Sequence, residues 1–494
     1  MKERSEGGYD HILKYTSLFG GMQGITILAN LVRNKAMALF LKASGLGFNS
    51  MLYTAQTFAS QCTSLGISLG AVPRLSEYFE QGDDEHVRYY IQVIRLWSMI
   101  SAVLGFVFCL VMSPVMGNFA FNWGHHTHHY ALLGFSVAAI AIAGGETAIL
   151  KATRRLGLLA RIQFITAVAS IIISLPLYYF LFHSGVLPAI ILMAFSALAA
   201  TVMYSYRCYP LQMQFSKSML QDGKSMIRLG TAFILAAAVG SVSEVLVRSF
   251  LNVEGSLTDV GFYNAAYMIT ITYAGIIFSA MESDYFPRLS GVSHDIMATN
   301  EMVNKQIEVS LLILAPMLVW LLMLLPVLIP LLFSSEFLPM VAMAQVTVLA
   351  MYFKVLTMPV SYITLARSRS MAFLLLESAY FVVLVVAVII GYRHWGIYGT
   401  GVALVVAHVC EYLLTMAYAY WKFNYRSTWM IVRYASLQML LGGGAFVVSL
   451  LCEGWCYWTA EAALAIASTA YSIHVLRRKT HLWESLRSKF FKTA

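Results

Sequence analysis

Three basic side chains, Arg33, Arg248 and Lys354, stand inside long apolar stretches of this sequence. A charge in the middle of a bilayer costs about 2.5–3.5 kcal/mol on insertion scales, so a cation there needs an anion, a wet cavity or a route back to the headgroups. The two arginines present forks suited to phosphate oxygens, and the lysine presents a point charge. For both arginines the competing reading is snorkelling to the outer headgroups. For Arg248 a second is an i,i+4 pair with Glu244. Lys354 has no acid on its own helix, which favours a cavity role. The carboxylates in comparable stretches are Glu146, Glu244, Glu282, Asp284, Glu377 and Glu411. Glu244, Glu377 and Glu411 are candidates for binding a coupling proton or sodium ion. The structural alternative for each is a buried pair across helices.

Uncharged polar residues fall at helical spacing around these charges. Thr16, Gln23, Thr26, Asn30 and Arg33 share one face of a first helix. Asn49, Tyr53, Gln56, Ser60 and Ser64 share a face of the second. Ser241, Glu244 and Arg248 do so later in the chain, as do Asn264, Tyr267, Thr270 and Tyr273. Polar faces in lipid turn toward a cavity or toward one another. Gln23, Asn30, Asn49, Tyr53, Gln56, Asn264 and Tyr267 are therefore expected to line a polar cavity. Helix-packing glue accounts for many of the serines and threonines.

The elements that carry these residues occur twice. Val32-Arg33, Gly47-Phe48, Tyr53 and Pro73-Arg74-Leu75-Ser76 return as Val247-Arg248, Gly261-Phe262, Tyr267 and Pro287-Arg288-Leu289-Ser290. From Gly47 onward the offset is constant. Leu150–Arg154 matches Leu365–Arg369 near the same offset. This is an internal duplication. Each copy holds an even number of spans, so both enter the membrane in the same direction, and a shared cavity is expected between them. The expected division is an N-lobe at 1–221, a C-lobe at 222–427, and an added helix pair with a basic tail at 428–494.

Composition sets the class. Of 494 residues, 59% are hydrophobic and 12% charged, with a mean hydropathy of +0.71. Soluble domains are nearer a quarter charged. Apolar runs of about 18 residues or more recur, each enough to cross a hydrocarbon core of about 30 Å. The expected fold is an all-α integral membrane protein of about fourteen transmembrane helices: two pseudo-symmetric six-helix lobes plus two extra helices. Barrel strands would be short and alternating, and these stretches are neither. The spans carrying the candidate residues are expected at 14–41, 47–72, 226–251, 259–286, 339–366, 371–392 and 396–421.

The net charge of +9 is no nucleic-acid signature, because most Lys and Arg fall in connections on one side. That asymmetry places both termini in the cytoplasm. No glycine-rich phosphate loop occurs, so ATP hydrolysis is not expected. The six cysteines form no CxxC pair, and the tract His125, His126, His128 and His129 reads as an exposed loop. No metal or organic cofactor is expected.

Several short motifs resemble the Wzx-type oligosaccharide-lipid flippases of the MOP exporter superfamily. They are Leu31-Val32-Arg33-Asn34, the two Pro-Arg-Leu-Ser stretches, Leu332–Phe337, Lys354, Tyr362, Leu365–Ser370, Glu377 and Gly396–Gly399. The resemblance implies a polyprenyl-diphosphate-linked oligosaccharide as substrate, moved from the cytoplasmic to the periplasmic leaflet of a bacterial inner membrane for surface polysaccharide (O-antigen) synthesis. Arg33, Arg248 and Lys354 would meet the diphosphate. The implied partners are membrane lipid, glycosyltransferases and a polysaccharide polymerase. Lipid II flippases of the superfamily carry an acid where Asn34 stands and a second arginine where Ile27 stands, so the resemblance favours another glycolipid. A cation-coupled multidrug exporter of the same superfamily is the alternative.

Overall fold

The computed structural model describes residues 26–121, 127–211, 216–272, 275, 278, 285–286, 288–367 and 369–479. Among these residues there is no strand. The helices are α1 (26–40), α2 (Lys42–Thr63), α3 (Ile67–Gly70), α4 (Val72–Gln81), α5 (Asp84–Phe121), α6 (Thr127–Ala152), α7 (Leu156–Leu181) and α8 (Val186–Cys208). Then follow α9 (Lys217–Glu254), α10 (Leu257–Tyr267), α11 (Ile296–Leu332), α12 (Val341–Ala366), α13 (Ser370–Phe423), α14 (Trp429–Leu451) and α15 (Gly454–Lys479). Seven described stretches are long and apolar enough to span a membrane, and two of them, Leu156–Cys208 and Ser370–Phe423, each hold two helices. Helices satisfy their own backbone hydrogen bonds, which is why apolar sequence of this kind takes that form in lipid.

The chain forms two compact units, Met1–Gly261 with Leu332–Ser334, and Phe262–Leu331 with Ser335–Ala494. The sequence division at 221 and 427 follows the repeat, whereas these units follow packing. Helix α9 belongs to the first unit because it packs on α2, α3 and α5. Helices α14 and α15 pack on each other, and α14 packs on α12, which assigns both to the second unit.

In the first unit the core joins Leu75, Tyr90, Ile94, Ile149 and Met226. One contact there links the duplicated copies. A Cβ on Gly47 would collide with the Leu257 carbonyl, and one on Gly261 would collide with the Ala43 carbonyl. Each glycine thus faces the residue four before its repeat counterpart. The two backbones cross at close range, and only the missing side chains permit it.

In the second unit α13 is two helices joined without a loop. Trp395 has φ −132° and Gly396 has φ 58°, a left-handed value that glycine adopts without strain. The chain reverses there, and Gly391 and Gly399 face each other's carbonyls.

The crossing predicts the effect of a single methyl. Gly47→Ala and Gly261→Ala should each destabilise the protein by about 1–3 kcal/mol through overpacking, seen as a lower unfolding midpoint in detergent. Gly144→Ala, where a Cβ meets nothing within 4 Å, should not lower the midpoint and should raise it slightly, because alanine favours a helix interior over glycine.

Candidate functional site

In the first unit Arg248 is buried on α9. Its Nε donates to Ser50 Oγ on α2 at 2.8 Å, and its Nη1 lies 3.2 Å from Glu244 Oε2 one turn earlier. The i,i+4 pair is therefore formed, and Arg248 is partly neutralised. Glu244 is committed to that pair. Arg33, on α1, is half-buried. Its Nη1 approaches Met193 Sδ at 3.5 Å, and its Nε is buried with no hydrogen-bond partner among the described residues. Of the two repeat-related arginines, Arg33 keeps more unused donor capacity.

Among the uncharged candidates, Asn30 and Asn49 are half-buried, Gln56 is buried and Tyr53 is 60% exposed. Gln23, Glu282, Asp284, His125 and His126 lie outside the described residues. Glu146, one of the carboxylates in the apolar stretches, forms a bidentate pair with Arg95. Arg95 Nε and Nη2 reach Glu146 Oε1 and Oε2 at 2.8 and 3.2 Å. Ser205 Oγ adds a hydrogen bond to Glu146, and Arg95 also donates to the carbonyls of Tyr209 and Pro210. Both ions have several partners, the condition under which a buried pair offsets its desolvation. This is the structural alternative for Glu146.

The second unit brings four sequence candidates, Lys354, Glu411, Glu377 and Tyr267, into one place. Lys354 on α12 has its Nζ 3.3 Å from Glu411 Oε1 on the second arm of α13. Glu411 is buried, and its other oxygen is 2.8 Å from His408 Nδ1. With Nδ1 donating to the carboxylate, Nε2 accepts from the Tyr380 hydroxyl at 3.4 Å. The Tyr380 ring stacks on His408 at 4.9 Å and also lies 5.8 Å from Lys354 Nζ. Lys354, His408 and Tyr380 border a cavity of about 300 Å³, with Glu377, Tyr267, Ser361 and Tyr362. Asn264, one turn before Met268, donates to its sulfur at 3.5 Å.

Helical geometry explains the assembly. His408 and Glu411 are i,i+3 on one face, as are Glu377 and Tyr380. The reversal at Trp395–Gly396 sets those two faces side by side, and α12 packs against α13 to deliver Lys354. The cavity is lined by one ammonium, one carboxylate, an imidazole and several tyrosines, with the Glu411 carboxylate behind it, bound to Lys354 and His408. Such a set can exchange a proton or a cation among its acids. Either event changes how strongly Lys354 is held. His408 and Tyr380 were not singled out from the sequence. The His-x-x-Glu spacing inside an apolar span was the available signal.

Residues 36–342 match the family described as "Polysaccharide biosynthesis protein". Among curated protein sequences no significant relative was found. Solved structures share the fold. One is "Lipid II flippase MurJ, inward closed conformation", 14% identical with a TM-score of 0.69, covering 94% of this chain and 99% of that one. Another is the inward-facing conformation of a multidrug resistance MATE family transporter of the MOP superfamily, 13% identical with a TM-score of 0.68, covering 81% of this chain and 94% of that one. A third is a MOP superfamily transporter from Pyrococcus furiosus, 13% identical with a TM-score of 0.58, covering 83% and 96%.

The Lys354–Glu411 contact is testable as a coupling. Lys354→Met and Glu411→Gln should each destabilise the protein, while the double variant should lose less than the sum. The expected coupling is about 0.5–3 kcal/mol, read by equilibrium unfolding in detergent. Strictly additive losses would mean that the contact carries no energy.

Proposed function

We propose, for a chain that belongs to the polysaccharide biosynthesis protein family and folds as MOP superfamily transporters do, that it flips a polyprenyl-diphosphate-linked oligosaccharide across the membrane. The observation that carries this reading is the family match over residues 36–342. Intramembrane cations of the kind a diphosphate needs support it. The lipid tail stays in the bilayer throughout. The sugar hydroxyls exchange water for amides and tyrosines such as Asn30, Asn49, Gln56, Asn264 and Tyr267. Transfer runs from the cytoplasmic to the periplasmic leaflet by alternating access, without ATP, with both termini cytoplasmic. Glycosyltransferases make the substrate and a polymerase consumes the product.

The basic residues act at different stages. Arg33 is the strongest phosphate partner, because its Nε is buried and unpartnered. Arg248 joins it at the cost of loosening Glu244. Lys354 works by exchange. A proton taken up by Glu411 or Glu377 cancels a counter-charge and leaves Lys354 free for phosphate. Loss of that proton restores the Lys354–Glu411 pair and expels the phosphate.

A cation-coupled exporter is the second reading, and the carboxylates around the Lys354 cavity are the feature that favours it. Lys354 already supplies a cation there, which argues against a site for organic cations.

The test is transport in vesicles carrying a fluorescent polyprenyl-diphosphate oligosaccharide. Losing a hydrogen bond to a charged group costs about 1.5–3 kcal/mol, so Arg33→Ala should slow flipping by about tenfold or more. Arg33→Lys should lose much of the rate, and Lys354→Arg should lose less. Native rates in both Arg33→Ala and Arg248→Ala would remove the arginines from the mechanism. Export of organic cations with no glycolipid movement would establish the second reading.

A further inference from the structure

Glu461 lies on α15, outside both repeats. The residue is fully buried, and neither carboxyl oxygen has a hydrogen-bond partner among the described residues. Its surroundings are otherwise well satisfied. The buried face of α15 is Tyr457, Glu461, Ala465, Ser468, Ser472 and Val475. Ser468 Oγ donates to Gln438 Oε1 at 2.6 Å, and Gln438 Nε2 donates to Ser472 Oγ at 2.8 Å. Trp320 Nε1 donates to Thr469 at 3.1 Å, and the Tyr457 hydroxyl donates to the Met323 carbonyl at 2.8 Å. One polar group on this face is left without a partner, and it is the one able to ionise.

Burying a carboxylate without donors costs several kcal/mol, so this packing accommodates the neutral acid and not the anion. The titratable groups bearing on Glu461 are Tyr457 on its own helix and Cys452 just before it. Helix α14 presents Gln438 to α15, α11 presents Trp320 and two backbone carbonyls, and Gln345 of α12 reaches Tyr457. None of these contributes a basic side chain.

We propose that Glu461 is a proton-binding site that latches α15 against α11. With the proton bound, the carboxyl is neutral and Tyr457 keeps its bond to Met323. When the O–H bond breaks and the proton passes to water, the carboxylate requires a donor. The Tyr457 hydroxyl, one turn away on the same buried face, is a donor able to serve. Taking it breaks the bond to Met323, and α15 loosens from α11. One proton leaves and nothing is oxidised or reduced. The site does not depend on the identity of the transported molecule.

The experiment needs no substrate. The full-length protein in detergent is followed against pH by infrared difference spectroscopy and amide hydrogen exchange. A neutral-carboxyl band should be present in the native protein, absent in Glu461→Gln, and should fade as pH rises. Over the same range, amide protection factors around Tyr457–Ser468 and Pro316–Met323, taken relative to base-catalysed intrinsic exchange, should fall. The open-to-packed ratio should rise about tenfold per pH unit, as linkage to one proton requires. Glu461→Gln, which mimics the neutral acid, should keep high protection factors that do not change with pH. Tyr457→Phe should keep the band, with exchange raised at every pH. A native carboxyl band and exchange pattern that do not change with pH would overturn the proposal, whatever the variants do. So would an unchanged pH response in Glu461→Gln. Failure of glycolipid transport would leave this site standing.

Discussion

An ion taken out of water must recover its solvation from the groups around it, and the buried charges in this protein are organised by that debt. Arg95 and Glu146 share two hydrogen bonds and recruit a serine and two backbone carbonyls. Lys354 and Glu411 recruit His408 and, through it, Tyr380. The two clusters differ in one respect. Both border cavities, and in the first, where Arg95 lines one, each charge of the pair is answered. The second includes Glu377, an acid that lines the same cavity as Lys354 but lies outside the Lys354–Glu411 pair. Full satisfaction rigidifies, while a network with a spare acid can rearrange.

The arginines show how a duplicated sequence diverges in use. Arg33 and Arg248 occupy matching places in the two copies, yet their surroundings differ. Arg248 leans on Ser50 and Glu244, and the matching stretch before Arg33 has no acid. The close crossing of α2 with α10 at Gly47 and Gly261 keeps the memory of the duplication in the backbone, where side-chain drift has less effect. Function follows the side chains and architecture follows the glycines.

Much of the fold was legible. Apolar length predicted the helices, because helix formation in lipid depends on local composition. Glu244–Arg248 was visible as an i,i+4 pair for the same reason. Lys354 was read from its own helix and looked unopposed, since periodicity on one helix says nothing about Glu411 on another. His408 was hidden by its company, being a single imidazole in an apolar run. Gly47 and Gly261 were landmarks of the repeat, but their contact required knowing the crossing. The compact units part from the repeat boundary because α9 packs with the helices of the first copy.

The reversal at Trp395–Gly396 has a consequence for biosynthesis. The two arms of α13 are joined without a loop, so they can enter the bilayer as one hairpin. Glu377 and Tyr380 ride on the first arm, His408 and Glu411 on the second. Lys354 precedes them on α12. Synthesis therefore delivers the ammonium to the membrane before the acids that will neutralise it. The polar residues of the hairpin arrive together and find a partner helix already made. The cluster is assembled from adjacent segments with little sequence between them, which keeps the time short during which any of its charges must face lipid alone.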